Sequence, residues 1–140
     1  IVGAAIFALF AGFYFWFPKF TGKTMNAKWG MVHFWSFFAS FNATFIPMFW
    51  TGSHGLRRRV ADYSVDMSGV QMWISCSAFF IFLATLIFLV NVLRSMRKGA
   101  AAPENPWNAG TLEWTLPSPP PVHNFNRPPE VIRSPYTRVV

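Results

Sequence analysis

The sequence predicts an all-α membrane protein, and its composition and three apolar runs are the basis of that prediction. Of the 140 residues, 53% are apolar and 19% aromatic, whereas only 12% are charged. Soluble domains average about 25% charged residues. A membrane helix needs about 20 predominantly apolar residues, and the three runs cover residues 1–17, 29–51 and 69–93. We therefore expect the end of one transmembrane helix followed by two full ones.

The first apolar run begins at residue 1 with neither a basic region nor a cleavage site before it. This pattern is not typical of a signal peptide. About 17 residues is the lower limit for a membrane span. We therefore expect this run to be the second half of a helix that begins elsewhere, either in a longer polypeptide or in a separate one if a longer protein has been split.

Polar side chains in the second run predict contacts with other helices. They recur at intervals of three and four residues, which places them on one helical face: His33, Ser36, Ser40 and Thr44. We interpret this face as a surface for close helix packing, with hydrogen bonds between helices. The alternative is a proton or water path, because an ionisable residue such as His33 within a membrane is a functional candidate.

The basic residues predict the orientation of the spans. They occur in the first connection and just after the last span: Lys19, Lys23, Lys28, Arg94, Arg97 and Lys98. Two spans separate these regions, so both lie on one side, which the positive-inside rule makes the cytoplasm or the mitochondrial matrix. The net charge of +7 forms no continuous basic face. We therefore expect contact with anionic lipid and no nucleic acid.

A loop between the two full spans breaks the positive-inside rule with three adjacent arginines, Arg57, Arg58 and Arg59. Guanidinium groups at a membrane surface need anions, and they bind carboxylates and phosphates through paired hydrogen bonds. We favour the acid groups of a bound ligand or cofactor as those anions. Lipid headgroups, together with the nearby Asp62 and Asp66, are the alternative.

The sequence after residue 98 is rich in Pro, Asn, Ser and Arg and predicts an extended tail. The run at 117–121 cannot be helical, because proline lacks the amide donor. Trp107 and Trp114 have no local core to bury them, so we expect the tail to lie against neighbouring subunits on the matrix or cytoplasmic side. The chain is thus divided into a transmembrane part, residues 1–98, and an extended polar C-terminal tail, residues 99–140.

Motifs for self-contained catalysis are absent from the sequence. It has no glycine-rich phosphate loop, no Cys/His cluster and no histidine pair at metal-binding spacing. Only five carboxylate side chains occur, and none lies inside a predicted span, which does not favour paired acid–base catalysis. The pattern is typical of one part of a larger assembly.

Four ordered segments resemble the C-terminal part of subunit I of haem-copper cytochrome c oxidase. They contain GFYFWFPKFTG at 12–22, NATFIP at 42–47, GLRRRVADY at 55–63, and NPW, TLEW and PSPPP between 105 and 121. The resemblance runs in order from about residue 3 to residue 129. It implies a twelve-helix bundle in which this chain supplies the end of helix ten and helices eleven and twelve.

The resemblance also implies an enzyme that transfers electrons from cytochrome c to oxygen while pumping protons. Its cofactors would be two haem A groups, bound mainly by the rest of subunit I, and copper that this chain does not ligate. Its partners would be the N-terminal part of subunit I, other oxidase subunits, cytochrome c and membrane lipid. In the family, two adjacent arginines bind the propionates of both haems. They correspond to Arg58 and Arg59, and Arg57 stands where the family usually has proline.

The histidine ligands of the family's haems lie upstream of residue 1. None of His33, His54 and His123 is therefore expected to ligate haem iron or copper, and the chain has no self-contained active site. The alternatives are a quinol oxidase subunit I fragment, whose tail also resembles 111–121, and a non-catalytic membrane assembly protein. The sequence RVADY at 59–63 favours the cytochrome c branch. The membrane would be the mitochondrial inner membrane or, alternatively, the bacterial cytoplasmic membrane.

Overall fold

The computed structural model describes residues 2–125 and residue 129. Its long helices are α1 (Val2–Thr21), α2 (Ala27–Ser53) and α3 (Ser68–Lys98), and two short 3-10 helices are formed by Val65–Met67 and Leu112–Thr115. The described residues contain no β-strand, only one isolated bridge between Lys23 and Ala101. The all-α class is thereby confirmed. The end of the predicted tail, 126–128 and 130–140, lies outside the described residues.

Each helix is longer than the apolar run that predicted it. The first helix continues through Pro18 to Thr21, and the third continues through Arg94 to Lys98. Hydrophobicity marks the part of a helix that prefers lipid, whereas the backbone hydrogen bonds of a helix continue into polar sequence. Gly22 terminates α1: its N–H donates to the Pro18 carbonyl at 2.8 Å. Its φ of +68° lies in the left-handed region, which glycine adopts without a steric cost.

The chain divides into two compact units. The first contains α1 and the connection up to Asn26, together with the end of α3 from Val92 and the segment that follows it. The second, Ala27–Asn91, contains α2, the arginine-bearing loop and most of α3. The cation of Lys19 and the candidate cofactor site thus lie in different units.

The first unit buries Trp114 of the tail against α1. Its side chain is 2% exposed, and its ring meets the Phe15 ring edge-on at 5.2 Å. The expectation that Trp114 has no local core is therefore wrong, because an aromatic face of α1 covers it. Trp107 is 49% exposed, but it stacks on Phe15 at 6.0 Å and donates its Nε1–H to the Phe15 carbonyl at 2.9 Å.

In the second unit, two hydroxyl groups of the polar face of α2 donate within their own helix. Ser40 Oγ donates to the Ser36 carbonyl at 2.7 Å, and Thr44 Oγ1 donates to the Ser40 carbonyl at 2.8 Å. Among the described residues these two donors therefore make no hydrogen bond to another helix, because the carbonyl one turn back lies within reach of a helical Ser or Thr. Hydrogen bonds to helices outside this chain stay a prediction.

Contact between helices is instead made by rings. The buried His33 ring lies 5.2 Å from the Phe88 ring of α3. Trp73 of α3 donates its Nε1–H to the Ala43 carbonyl of α2 at 3.1 Å. The polar face of α2 therefore meets another helix at His33, as the sequence predicts.

Two helical segments are long and apolar enough to cross a membrane, Gly3–Thr21 and Val65–Lys98. Only 17% and 22% of their apolar windows are buried within the chain, whereas a core helix of a soluble protein is mostly buried. The second helix is not among them, because His33, Asn42 and Pro47 lower its mean hydropathy. The span over α2 stays a prediction from the sequence.

Candidate functional site

Gly55 terminates α2 two positions before the first of the three arginines. The N–H of Leu56 donates to the Thr51 carbonyl at 3.1 Å, and the N–H of Gly55 donates to the Gly52 carbonyl at 3.2 Å. Gly55 has a φ of +91°, in the left-handed region. This pair of hydrogen bonds around a left-handed glycine is the Schellman arrangement. It turns the chain off the helix axis and so places the arginines in the loop rather than on the helix.

His54, next to that glycine, caps the same helix end. Its Nδ1 lies 2.9 Å from the Trp50 carbonyl and 3.2 Å from Ser53 Oγ, and its ring lies 4.2 Å from the Trp50 ring. Over the described part of the chain, no group of three His, Cys, Asp or Glu side chains could hold a metal ion. That the histidines do not ligate iron or copper stays a prediction.

A cleft of about 950 Å³ lies between the last turns of α2 and the loop that follows it. Arg57, Arg58 and Arg59 all line it. The structure thus brings the two predicted site residues together, and it adds Arg57, whose role the resemblance leaves open. Ligand pockets in proteins have volumes of about 300–1,000 Å³, so the cleft is large enough for a cofactor.

The wall of the cleft is apolar. Phe45, Met48 and Phe49 of α2 line it together with Leu56 of the loop. These residues are not among those predicted from the sequence, although their spacing holds a signal: the three helical residues are three and four positions apart and so share one face. An apolar wall beside three guanidinium groups suits a ligand with an apolar body and acidic groups at its edge.

The three guanidinium groups are exposed and have no hydrogen-bond or ion-pair partner within residues 2–125. Asp62 accepts a hydrogen bond from the Tyr63 backbone N–H at 2.9 Å. Neither Asp62 nor Asp66 pairs with an arginine in the part of the chain that the structure describes. Neutralisation by these carboxylates, which the sequence left open, therefore has no support in the geometry.

The backbone of Arg59 is in the left-handed conformation, with a φ of +60°. For a residue with a Cβ this conformation costs roughly 1–2 kcal/mol. Such residues persist where the surrounding structure holds them, and they are concentrated at ligand sites and switch regions. Nothing in the sequence signals this feature, because arginine has no preference for the left-handed region.

Comparison with known proteins supports one family. The family model described as Cytochrome C and Quinol oxidase polypeptide I matches residues 1–86. A Streptomyces coelicolor protein assigned as cytochrome c oxidase subunit 1-beta is 43% identical over 135 residues, which covers 94% of this chain and 24% of that protein. Cytochrome c oxidase subunit 1 of Synechocystis sp. is 40% identical over 136 residues, with 97% and 25% covered. The chain spans about a quarter of the length of these curated relatives.

Proposed function

The chain belongs to the family of cytochrome c and quinol oxidase polypeptide I, and we propose that it works within an oxidase that passes electrons from cytochrome c to oxygen and pumps protons. It corresponds to the C-terminal region of subunit I. The rest of subunit I, on the same or another polypeptide, would supply the metal ligands. The names of the relatives favour cytochrome c over quinol as the electron donor.

We propose that Arg58 and Arg59 bind the propionate groups of the two haems. The observation that carries this proposal is the set of guanidinium groups at the edge of an apolar cleft, which have no partner within residues 2–125. Haem has an apolar ring with two carboxylates on one edge, so it matches that lining. When bound, the haems supply electron transfer and, together with copper, the reduction of oxygen.

The part played by this chain is electrostatic and positional. Each guanidinium can donate two parallel hydrogen bonds to a carboxylate and so hold it ionised in a fixed orientation. The Gly55 turn and the left-handed Arg59 backbone set the path of the loop. The apolar face that contains Phe45 and Phe49 lines one side of the cleft, where a bound haem ring would displace water from it.

We further propose that α2 crosses the membrane beside α1 and α3, within a twelve-helix bundle that includes other parts of subunit I. Two haem A groups, copper, other oxidase subunits, cytochrome c and membrane lipid complete the assembly. The reported relatives are bacterial, which favours the bacterial cytoplasmic membrane over the mitochondrial inner membrane. The division at residue 98, with the tail on the cytoplasmic side, is part of the same proposal.

Spectroelectrochemistry of the assembled oxidase tests the arginine assignment. Arg58→Met and Arg59→Met remove positive charge beside the haems, which favours the oxidised iron, so we expect the haem midpoint potentials to fall. A difference of about 1.4 kcal/mol between the two redox states corresponds to about 59 mV for one electron. Arg57→Met is the matched control, because it removes the same charge from the neighbouring position, and we expect a smaller fall.

Equal falls for all three variants would show a general effect of surface charge and would contradict the assignment to Arg58 and Arg59. The absorption spectrum of the purified complex tests the wider proposal. A complex that contains this chain but lacks haem absorption would instead support a non-catalytic membrane assembly protein.

A further inference from the structure

A small polar pocket lies at the C-terminal end of α3, in the first unit of the chain. Its volume is about 300 Å³, and none of its described lining residues lines the arginine cleft. Arg94, Ser95 and Lys98 of α3 line it, opposite Thr24 and Asn26 of the first connection. We refer to these five residues as the helix-end pocket.

The helix-end pocket is positively charged. Arg94 and Lys98 are separated by four positions, so their side chains lie one above the other on the same helical face. No carboxylate of the described residues lines the pocket. Both cations are exposed, and neither has a hydrogen-bond or ion-pair partner among the residues that the structure describes.

The end of a helix is normally a poor place for an anion, because the unpaired carbonyls of the last turn carry partial negative charge. Here the chain itself supplies donors to those carbonyls. Lys23 Nζ donates to the Met96 carbonyl at 2.6 Å and to the Arg97 carbonyl at 3.4 Å, and the N–H of Gly99 donates to the Ser95 carbonyl at 2.8 Å. Lys23 therefore offsets the partial negative charge of the carbonyls at the end of α3. Arg94 and Lys98 are then available to bind a separate anion.

We propose that the helix-end pocket binds a phosphate group, supplied by an anionic phospholipid or by free phosphate. Arg94 can donate paired hydrogen bonds to phosphate oxygens, and Lys98 adds a compact charge. The pocket lies at the end of Val65–Lys98, which is long and apolar enough to cross a membrane. Headgroup phosphates occur at that level, and basic pockets beside the ends of such helices bind anionic headgroups.

The experiment uses the assembled complex in nanodiscs of phosphatidylcholine with an increasing fraction of phosphatidylglycerol. Native mass spectrometry after gentle release counts the phosphatidylglycerol molecules retained. Arg94→Gln and Lys98→Gln each remove a charge-assisted hydrogen bond, so we expect each to weaken retention at least about tenfold. The matched control is Arg97→Gln, since Arg97 lies in the same helical turn but outside the lining. Its loss should weaken retention by no more than about fivefold, the effect of diffuse attraction to the surface.

A second arm identifies the source of the phosphate. Equilibrium dialysis with radioactive inorganic phosphate is carried out on the complex in phosphatidylcholine nanodiscs. Phosphate binding that is lost in Arg94→Gln and Lys98→Gln, without selective retention of phosphatidylglycerol, would support the pocket with free phosphate as its occupant. Equal weakening by Arg97→Gln, or binding of neither probe, would overturn the proposal. The haem spectrum and potentials should stay unchanged in all three variants, which separates this outcome from the haem assignment.

Discussion

The lysines at the end of α1 and the arginines after α2 differ in where their partners lie. Lys19 is 6% exposed; its Nζ donates to the Leu116 carbonyl at 2.8 Å and lies 4.7 Å from the centre of the Trp114 ring. Lys23 likewise donates to carbonyls at the end of α3. The three arginines, in contrast, are exposed and have no partner within residues 2–125.

This difference separates cations with partners inside the chain from cations without a partner among the described residues, for which we propose a ligand. A lysine has a flexible stem and a compact charge, which allows it to donate to several carbonyls of an irregular segment, whereas the rigid fork of arginine matches the two oxygens of a carboxylate. The lysines therefore hold the tail and the helix end in place. The arginines line the cleft without such contacts, in keeping with the proposal that they bind an acidic group outside the described residues.

The largest effect is expected from Trp114→Ala, which removes the aromatic ring between Lys19 and Phe15. Large aromatic-to-alanine changes at buried sites cost about 3–5 kcal/mol. The buried Trp114 Nε1–H has no hydrogen-bond partner among the described residues, so the loss is one of packing. We expect hydrogen exchange in the assembled complex to show a tail that opens more easily, at the amides of Thr24 and Ala102, which donate to backbone carbonyls across the contact.

Trp107→Ala is the control for that change. Trp107 is 49% exposed, and its removal breaks one hydrogen bond, worth about 0.5–1.5 kcal/mol, together with one ring stack. Equal acceleration of exchange in both variants would contradict a tail anchored mainly by Trp114.

Lys19→Met should have the second largest effect. It keeps an apolar side chain but removes the charged donor to the Leu116 carbonyl and the cation over the Trp114 ring. Hydrogen bonds to charged groups are worth about 1.5–3 kcal/mol. We expect limited proteolysis of the assembled complex to cleave the segment after Gly99 faster than in the unmodified protein.

Lys28→Met removes the same charge from an exposed position near the start of α2. Surface changes of this kind usually alter stability by no more than about 0.5 kcal/mol. Faster cleavage in Lys28→Met than in Lys19→Met would mean that net charge, rather than the Lys19 contact, protects the tail.

Gly22→Ala is expected to have the smallest of these effects. The left-handed conformation costs a residue with a Cβ roughly 1–2 kcal/mol, and the new Cβ would lie 2.9 Å from Pro119 Cδ. We expect faster hydrogen exchange at Ala102, whose N–H donates to the Gly22 carbonyl. Gly69→Ala is the control, because a Cβ at that position meets nothing within 4 Å among the described residues. Unchanged exchange in Gly22→Ala would show that Gly22 does not hold the left-handed turn after α1.

The sequence predicts the helices and the arginine site for physical reasons that do not extend to the lysine contacts. Long apolar runs indicate helices, and three arginines on the side where positive charge is disfavoured indicate an anion site in the loop. The choice of Arg58 and Arg59 within that loop is what the family resemblance implies. The Lys19–Leu116 hydrogen bond joins residues 97 positions apart. A local sequence pattern does not predict which residues meet at that separation. The apolar runs also do not give the ends of α1 and α2, because those ends depend on Gly22 and Gly55 rather than on hydrophobicity. A glycine after a helix is itself a stop signal in the sequence.

A structure of the assembled oxidase by electron cryo-microscopy tests the central distinction most directly. We expect guanidinium nitrogens of Arg58 and Arg59 to lie about 2.7–2.9 Å from propionate oxygens, while Lys19 Nζ stays on the Leu116 carbonyl. Arginines directed at lipid phosphate, with no propionate within hydrogen-bonding distance, would contradict the account.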